Sequence, residues 1–197
     1  NISAFVDEGT VIFGQIQDVL NEQFSRLHQL EKDILFWLAI KREAISREEL
    51  TEYIFPKTTK QDLLSGLISL RRHSLIEQGD KGYSLQNVIL EFITSKIIDI
   101  IVDEIEGVLP ARCLSSHALI LAQAKDYVRE SQLRLILSPI LERLLAKYSK
   151  DEISYKMTDI LKTQKTVDKA LQGYTTGNVI NFFDRLLGNM SGKDFSG

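Results

Sequence analysis

The sequence predicts a mainly α protein: a winged helix-turn-helix with a small β-hairpin wing, followed by an α-helical connector domain. Three observations carry this. Ser46-Arg47-Glu48-Glu49 has the form of a capping box, in which the Ser hydroxyl accepts from the Glu amide while the Glu carboxylate reaches back to the Ser amide. Leu63, Leu64, Leu67, Ile68 and Leu70 then repeat at helical spacing after a turn at residues 56–59, and Gly79-Asp80-Lys81-Gly82 separates two short strand-like runs. Beyond Gly107 and Pro110 the apolar pattern is helical throughout.

Residues 1–28 read as a helical lead-in from a missing domain, since Phe13, Ile16, Leu20, Phe24 and Leu27 form one apolar stripe. Gly9 to Gly14 has the glycine spacing of a phosphate loop. Gln15 and Ile16 stand where Lys and Ser or Thr must reach phosphate and magnesium, so a loop running into a helix is expected instead.

Residues 29–106 make up the winged module. Leu30, Ile34, Leu35, Trp37 and Leu38 mark its first helix, with Trp37 as a core aromatic. The helix from Arg47 carries Leu50, Tyr53 and Ile54 and stops before Pro56, which lacks an amide donor and disfavours the α region at Phe55. The next opens at Thr59, in the place of a recognition helix. The hairpin glycines supply the positive φ of a tight turn. A long helix follows over 88–105, rich in isoleucine, and its Asp99, Asp103, Glu104 and Glu106 read as a solvated face because carboxylates oppose the dipole at a helix C-terminus.

Residues 107–187 form the connector. Helices are expected over 114–128 and 133–148, with Pro139 kinking or restarting the second. Ser149-Lys150-Asp151-Glu152 is another capping box, opening a polar helix to about residue 163. Few large apolar residues hold the stretch 156–169, so it should be mobile and the first site of proteolysis. Thr176 caps a last helix containing Val179, Phe182, Phe183 and Leu186. In residues 188–197, Gly-Asn-Met-Ser-Gly is followed by Lys-Asp-Phe-Ser-Gly, which resembles the start of a pentapeptide-repeat array.

Composition narrows the function classes. The 197 residues are 44% hydrophobic and 26% charged, values of an ordinary globular protein with a core that needs no staples. The lone Cys113 cannot form an internal disulfide, and neither a signal peptide nor an apolar span of roughly 20 residues is present, so a cytoplasmic location without membrane association is the default expectation. A net charge of −3 argues against a general nucleic-acid binder. Opening at Asn1, the chain reads as a segment of a longer protein.

No catalytic constellation stands out. Cys113 with His117 offers two ligands where structural zinc needs four, and Ser115, Ser116 and His117 read as the start of a helix at Ala118. A DNA-binding alternative would use Lys57, Lys60, Gln61, Arg71, Arg72 and Lys81, against which stand Glu48, Glu49, Glu52, Asp62 and Asp80. A second alternative is self-assembly, giving a homo-oligomer through the Ile-rich helix 88–105.

Several stretches carry a family resemblance: Phe24-Ser25-Arg26-Leu27, Leu30-Glu31-Lys32, Phe36-Trp37-Leu38-Ala39-Ile40, Ser69-Leu70-Arg71-Arg72-His73-Ser74-Leu75-Ile76, Ser116-His117-Ala118-Leu119 and Ala124-Lys125-Asp126-Tyr127-Val128-Arg129-Glu130-Ser131-Gln132. The chain resembles the segment after the nucleotide-binding domain in bacterial STAND NTPases of the NB-ARC type. The resemblance implies a non-catalytic regulatory segment whose partners are an upstream NTPase domain, which binds ATP or ADP, and a C-terminal array of WD or pentapeptide repeats. No cofactor is implied for the segment itself. In the family a His of a Met-His-Asp motif just after the wing reaches the nucleotide phosphate. Gln86 stands at that His position and Asn87 at the Asp position, so amides able to donate a hydrogen bond replace the charge-capable groups. The residues alone also suit an amide pair capping the helix that starts near Val88.

Overall fold

The computed structural model describes residues 2–107, 110–165 and 173–188 and is mainly helical, with one two-stranded hairpin. Helix α1 (Ile2–Arg26) is continuous through the glycines of the phosphate-loop-like stretch, so the loop expected there is helix. Its end docks through Leu20, Phe24 and Leu27; the Phe24 ring meets Phe36 and Phe92 at 5.9 and 6.1 Å.

Helix α2 (Gln29–Lys41) starts where the Glu31 carboxylate accepts the His28 amide at 2.7 Å, and from Ile34 to Ile40 every side chain is buried. A helix apolar on all sides must be a central one. Helix α3 (Arg47–Tyr53) has the expected capping box, with both Ser46–Glu49 hydrogen bonds at 3.1 Å. Thr59 accepts the Asp62 amide at 3.0 Å and starts α4 (Lys60–Arg72). Strands β1 (Glu77–Gly79) and β2 (Gly82–Ser84) pair antiparallel in the register Glu77 to Ser84, and Ile45 joins Tyr83 through two main-chain bonds of 2.9 and 2.8 Å.

Helix α5 (Asn87–Glu106) is the spine. Ile89, Phe92, Ile93, Ile97, Ile101 and Ile105 are buried, so these side chains are unavailable to the self-assembly expected of them; burial beside α2 and the connector helices consumes the face. A single apolar core runs from Leu20 to Leu186.

The helix expected over 114–128 is two short ones, α6 (Arg112–Ser116) and α7 (Asp126–Gln132), separated by a non-helical segment of bends and a turn. Side-chain amides supply what a helical ladder would otherwise provide: Asn178 Oδ1 accepts the Leu119 amide at 2.8 Å and Gln132 Oε1 the Leu121 amide at 3.0 Å. Pro139 sits in the first turn of α8 (Ser138–Leu145), preceded by a π-helical turn at Leu133–Leu137, and the chain continues as restarted helix without an amide at Pro139. Helix α9 (Lys150–Lys165) has its capping box at Ser149–Glu152 and is held by buried Ile153 and Met157, while Lys156 donates to the Glu106 carbonyl at 3.3 Å. Residues 156–165 of the stretch expected to be mobile are thus helix, and residues 166–169 lie outside the described residues. Helix α10 (Thr175–Leu187) begins one residue before the expected cap, with Thr175 buried and Tyr174 at the N-cap. The repeat-like residues 189–197 also lie outside the described residues.

Gly82 has φ of +124°, and a Cβ there would collide with the Ile45 carbonyl, whereas a Cβ on Gly79 meets nothing within 4 Å. Gly82→Ala should therefore cost at least ~2 kcal/mol in urea unfolding, and Gly79→Ala no more than ~1 kcal/mol.

Candidate functional site

Two acidic side chains are drawn into the interior where α2, α5 and α6 meet. Asp33, in the first turns of α2, is 6% exposed, and the Arg112 guanidinium grips its carboxylate with two nitrogens at 2.8 and 3.3 Å. Such a fork fixes orientation as well as charge. Glu104, read from the sequence as solvated, is instead buried: its carboxylate accepts the amides of Cys113 at 2.6 Å and Leu114 at 2.9 Å. These are donors that a helix N-terminus leaves without partners, and they orient a five-residue helix too short to hold itself. Burial pushes the Glu104 carboxyl up to about 7 against the opposing pull of those amides and Arg112.

His117 follows α6 and is fully buried. Its Nε2 lies 3.3 Å from the Asp33 carbonyl and so donates there, leaving Nδ1 to accept from the Ser116 hydroxyl at 2.8 Å. Burial holds the ring neutral, with a pKa lowered to about 4, and the ring packs against Phe36 and Trp37 at 5.4 and 5.1 Å. The expected role of His117 in opening a helix at Ala118 is replaced by this contact. Ser116, His117 and Asp33 approach the arrangement of a nucleophile, base and acid, but Ser116 and His117 are 2% and 0% exposed and their bonds tie elements together. Burial, followed by the charges of Glu104 and Asp33, raises the Cys113 thiol well above its ordinary value, so it is no thiolate nucleophile.

Two buried amides complete the joint. Asn178 of α10 donates to the carbonyls of Leu114 and His117 at 2.8 and 2.7 Å, and Gln132 of α7 donates to the Ile40 carbonyl at 2.8 Å. Nearer the surface, Tyr127 donates to the Glu43 carboxylate, which Lys125 also meets at 3.3 Å. The sequence pattern assigns no role to Asp33, Arg112, Gln132 or Asn178, and it places Glu104 on the wrong side of its helix. Asp33 offered the one visible signal, a carboxylate directly before an unbroken apolar run.

The residues selected from sequence lie elsewhere. Gln86 is exposed at the N-cap of α5 and donates to Glu77 Oε1 at 2.8 Å, tying the hairpin to the helix, while Asn87 is the first residue of α5 and is also exposed. The Gln86 side chain makes no capping bond, so the expected amide cap is absent at that position. Lys57 donates to the main-chain carbonyls of Thr51 and Glu52. Lys60 and Gln61 lie at one end of α4 and Arg71 and Arg72 at the other, about 18 Å away by helical rise, with Lys81 at the hairpin tip. Between them the outer face carries Leu64 and Ile68, 39% and 44% exposed, and Glu48 and Glu52 line the groove beside Lys60. The six candidate DNA contacts do not form one positive surface. Among the described residues no group of three or more His, Cys, Asp or Glu side chains is placed to hold a metal ion, and no helix is long and apolar enough to cross a membrane.

Fold and joint define a mainly helical protein in which a hairpin-bearing helix-turn-helix is locked to a helical extension. The chain is 35% identical over 233 residues to an uncharacterized WD repeat-containing protein of Nostoc sp., an alignment that takes in 100% of this chain. It spans 18% of the length of that relative. No family model and no solved structure matches the chain.

His117, with its folded pKa below the unfolded 6.5, contributes stability that is complete above pH 6.5 and lost as pH falls through 4. Glu104, with its folded pKa above the unfolded 4.5, contributes stability that is complete below pH 4.5 and lost as pH rises through about 7. The two oppose each other between pH 4.5 and 6.5. Relative to the parent, Glu104→Gln should gain ~3 kcal/mol on going from pH 4.5 to 8, read from urea midpoints at both pH values. Asp33→Ala, by contrast, should lose ~2 kcal/mol at neutral pH in the same assay, moderated because Arg112 can reach water.

Proposed function

We propose that the chain is a regulatory segment of a STAND signalling NTPase of the NB-ARC type: a winged helix and helical connector that does no chemistry itself and couples a C-terminal repeat sensor to the nucleotide state of an upstream NTPase domain. The observation that carries this is the joint. Asp33–Arg112, Glu104 and Asn178 lock the helix-turn-helix to the connector through buried polar contacts, so displacement at one end must be felt at the other. The WD repeat-containing relative supports a repeat array as the neighbour on the sensing side. The order of helix, helix-turn-helix, hairpin and long helix supports the winged-helix reading.

In this reading the nucleotide-facing end is the start of α5. Gln86 and Asn87 are exposed there, and the first-turn amides of α5 carry no side-chain cap. An anion is favoured at such an end. Gln86 would turn its amide from Glu77 to a phosphate oxygen when the NTPase domain closes over ADP. ATP or ADP belongs to that domain, and the location is cytoplasmic. The DNA-binding alternative is less well supported, because Leu64 and Ile68 occupy the middle of the α4 face and the flanking cations alternate with acids.

The test is a longer chain that includes the upstream domain, titrated with ADP alongside its Gln86→Ala variant. Loss of one hydrogen bond to an anionic phosphate oxygen should weaken ADP binding about 10- to 100-fold. Unchanged affinity would remove Gln86 from the nucleotide site, and no ADP binding by the parent would remove the switch reading itself.

A further inference from the structure

Helix α3 is short and little buried. It has seven residues, and within its span Leu50 is the one fully buried side chain. A helix this short is unstable without tertiary contacts. Its two ends are held differently. At the start, the capping box and a Lys41–Glu49 pair at 3.3 Å belong to the winged module itself. At the end, the main-chain carbonyl of Tyr53 accepts a hydrogen bond at 3.1 Å from the hydroxyl of Tyr174, which comes from the other half of the chain.

Tyr174 is placed by several independent contacts. Its amide donates to the Ser115 carbonyl at 2.8 Å, and its ring stands edge-on to Trp37 at 5.4 Å and to Phe55 at 6.5 Å. Trp37 in turn stacks on Tyr53 at 5.0 Å. Gly173, with φ of +53°, turns the chain so tightly against Ser115 and the Phe55 ring that a Cβ has no room. One corner of backbone at the head of α10 therefore touches the end of α3, the turn before α4 and the last turn of α6.

We propose that this corner, Gly173–Tyr174, is a strap through which the head of α10 holds α3 and the following turn closed, so that detaching the corner releases the helix-turn-helix while α5 and the rest of α10 stay packed. The proposal rests on the coupling reading above and names the part that moves. The strap is suited to release. The corner itself is peripheral, with Gly173 exposed and Tyr174 only partly buried, whereas α10 beyond it is anchored by Val179, Phe182 and Phe183 and α5 is interior along most of its length. Tyr174 acts on α3 through Tyr53 and Trp37 and is a positioning residue.

Hydrogen exchange on the full chain, with no nucleotide or other domain, tests this. Tyr174→Ala should speed amide exchange in residues 47–59 by at least about 10-fold and leave residues 89–105 unchanged. Emission of Trp37, the sole tryptophan, should shift to the red as Tyr53 and Tyr174 leave it. Tyr174→Phe keeps the ring and removes only the bond to the Tyr53 carbonyl; it should give the same pattern at about 3- to 5-fold, and it decides the matter alone if the Ala variant does not fold. Unchanged exchange in residues 47–59 overturns the strap. So does an equal acceleration in residues 89–105, which would mark Tyr174 as a contributor to global stability alone. Neither result bears on ADP binding, so this inference and the nucleotide reading fail separately.

Discussion

The first helix beyond α5, and through it the buried polar joint, is positioned by two carboxylates that the chain keeps out of water. Burying a carboxylate is unfavourable unless its oxygens are met by donors, and both sets of donors come from the same short helix: the Arg112 guanidinium for Asp33 and the Cys113 and Leu114 amides for Glu104. The converse also holds. Five residues cannot make a stable helix in isolation, so α6 exists where it does because α2 and α5 present acceptors to it. With α6 placed, His117 falls onto the Asp33 carbonyl and Asn178 can span the Leu114 and His117 carbonyls.

The joint is polar but sealed, and that combination makes it stiff. Hydrogen bonds in a low-dielectric interior are costly to leave unmade, so its members move together or not at all. Apolar packing along α5 adds no such specificity, since aliphatic surfaces slide and repack more readily than a guanidinium leaves a carboxylate. Helix α3 provides the contrast: short, with little buried surface, and held at its far end by a residue from the other half.

The outward surfaces bear on function by their chemistry. The outer face of α4 carries Leu64 and Ile68 between Lys60 at one end and Arg71 and Arg72 at the other, with Asp62 in its first turn. The start of α5 offers amides and two exposed amide side chains, one of them engaged by Glu77.

Most of the secondary structure was legible because its signals are local. The capping boxes at Ser46 and Ser149, the Thr59 cap and the Gly79–Gly82 hairpin each depend on residues within a few positions of one another, and each forms as the spacing requires. Legibility failed where a partner distant in sequence supplied the bonds. The apolar pattern over residues 114–128 fits a helix, yet Asn178 and Gln132 take two of its amides and the segment between α6 and α7 is bends and a turn. Charges near the end of α5 fit a solvated face, yet Glu104 turns inward because α6 meets it there. The candidate site lies in this second category throughout: Asp33 and Arg112 are 79 positions apart, and His117 and Asp33 are 84. The sequence by itself determined the capped helix starts, the hairpin and most of the apolar faces, because capping, turn geometry and periodicity act over a few residues. Only the tertiary structure decided which polar side chains are buried together, because their favourable burial depends on partners that the chain brings close only once it is folded.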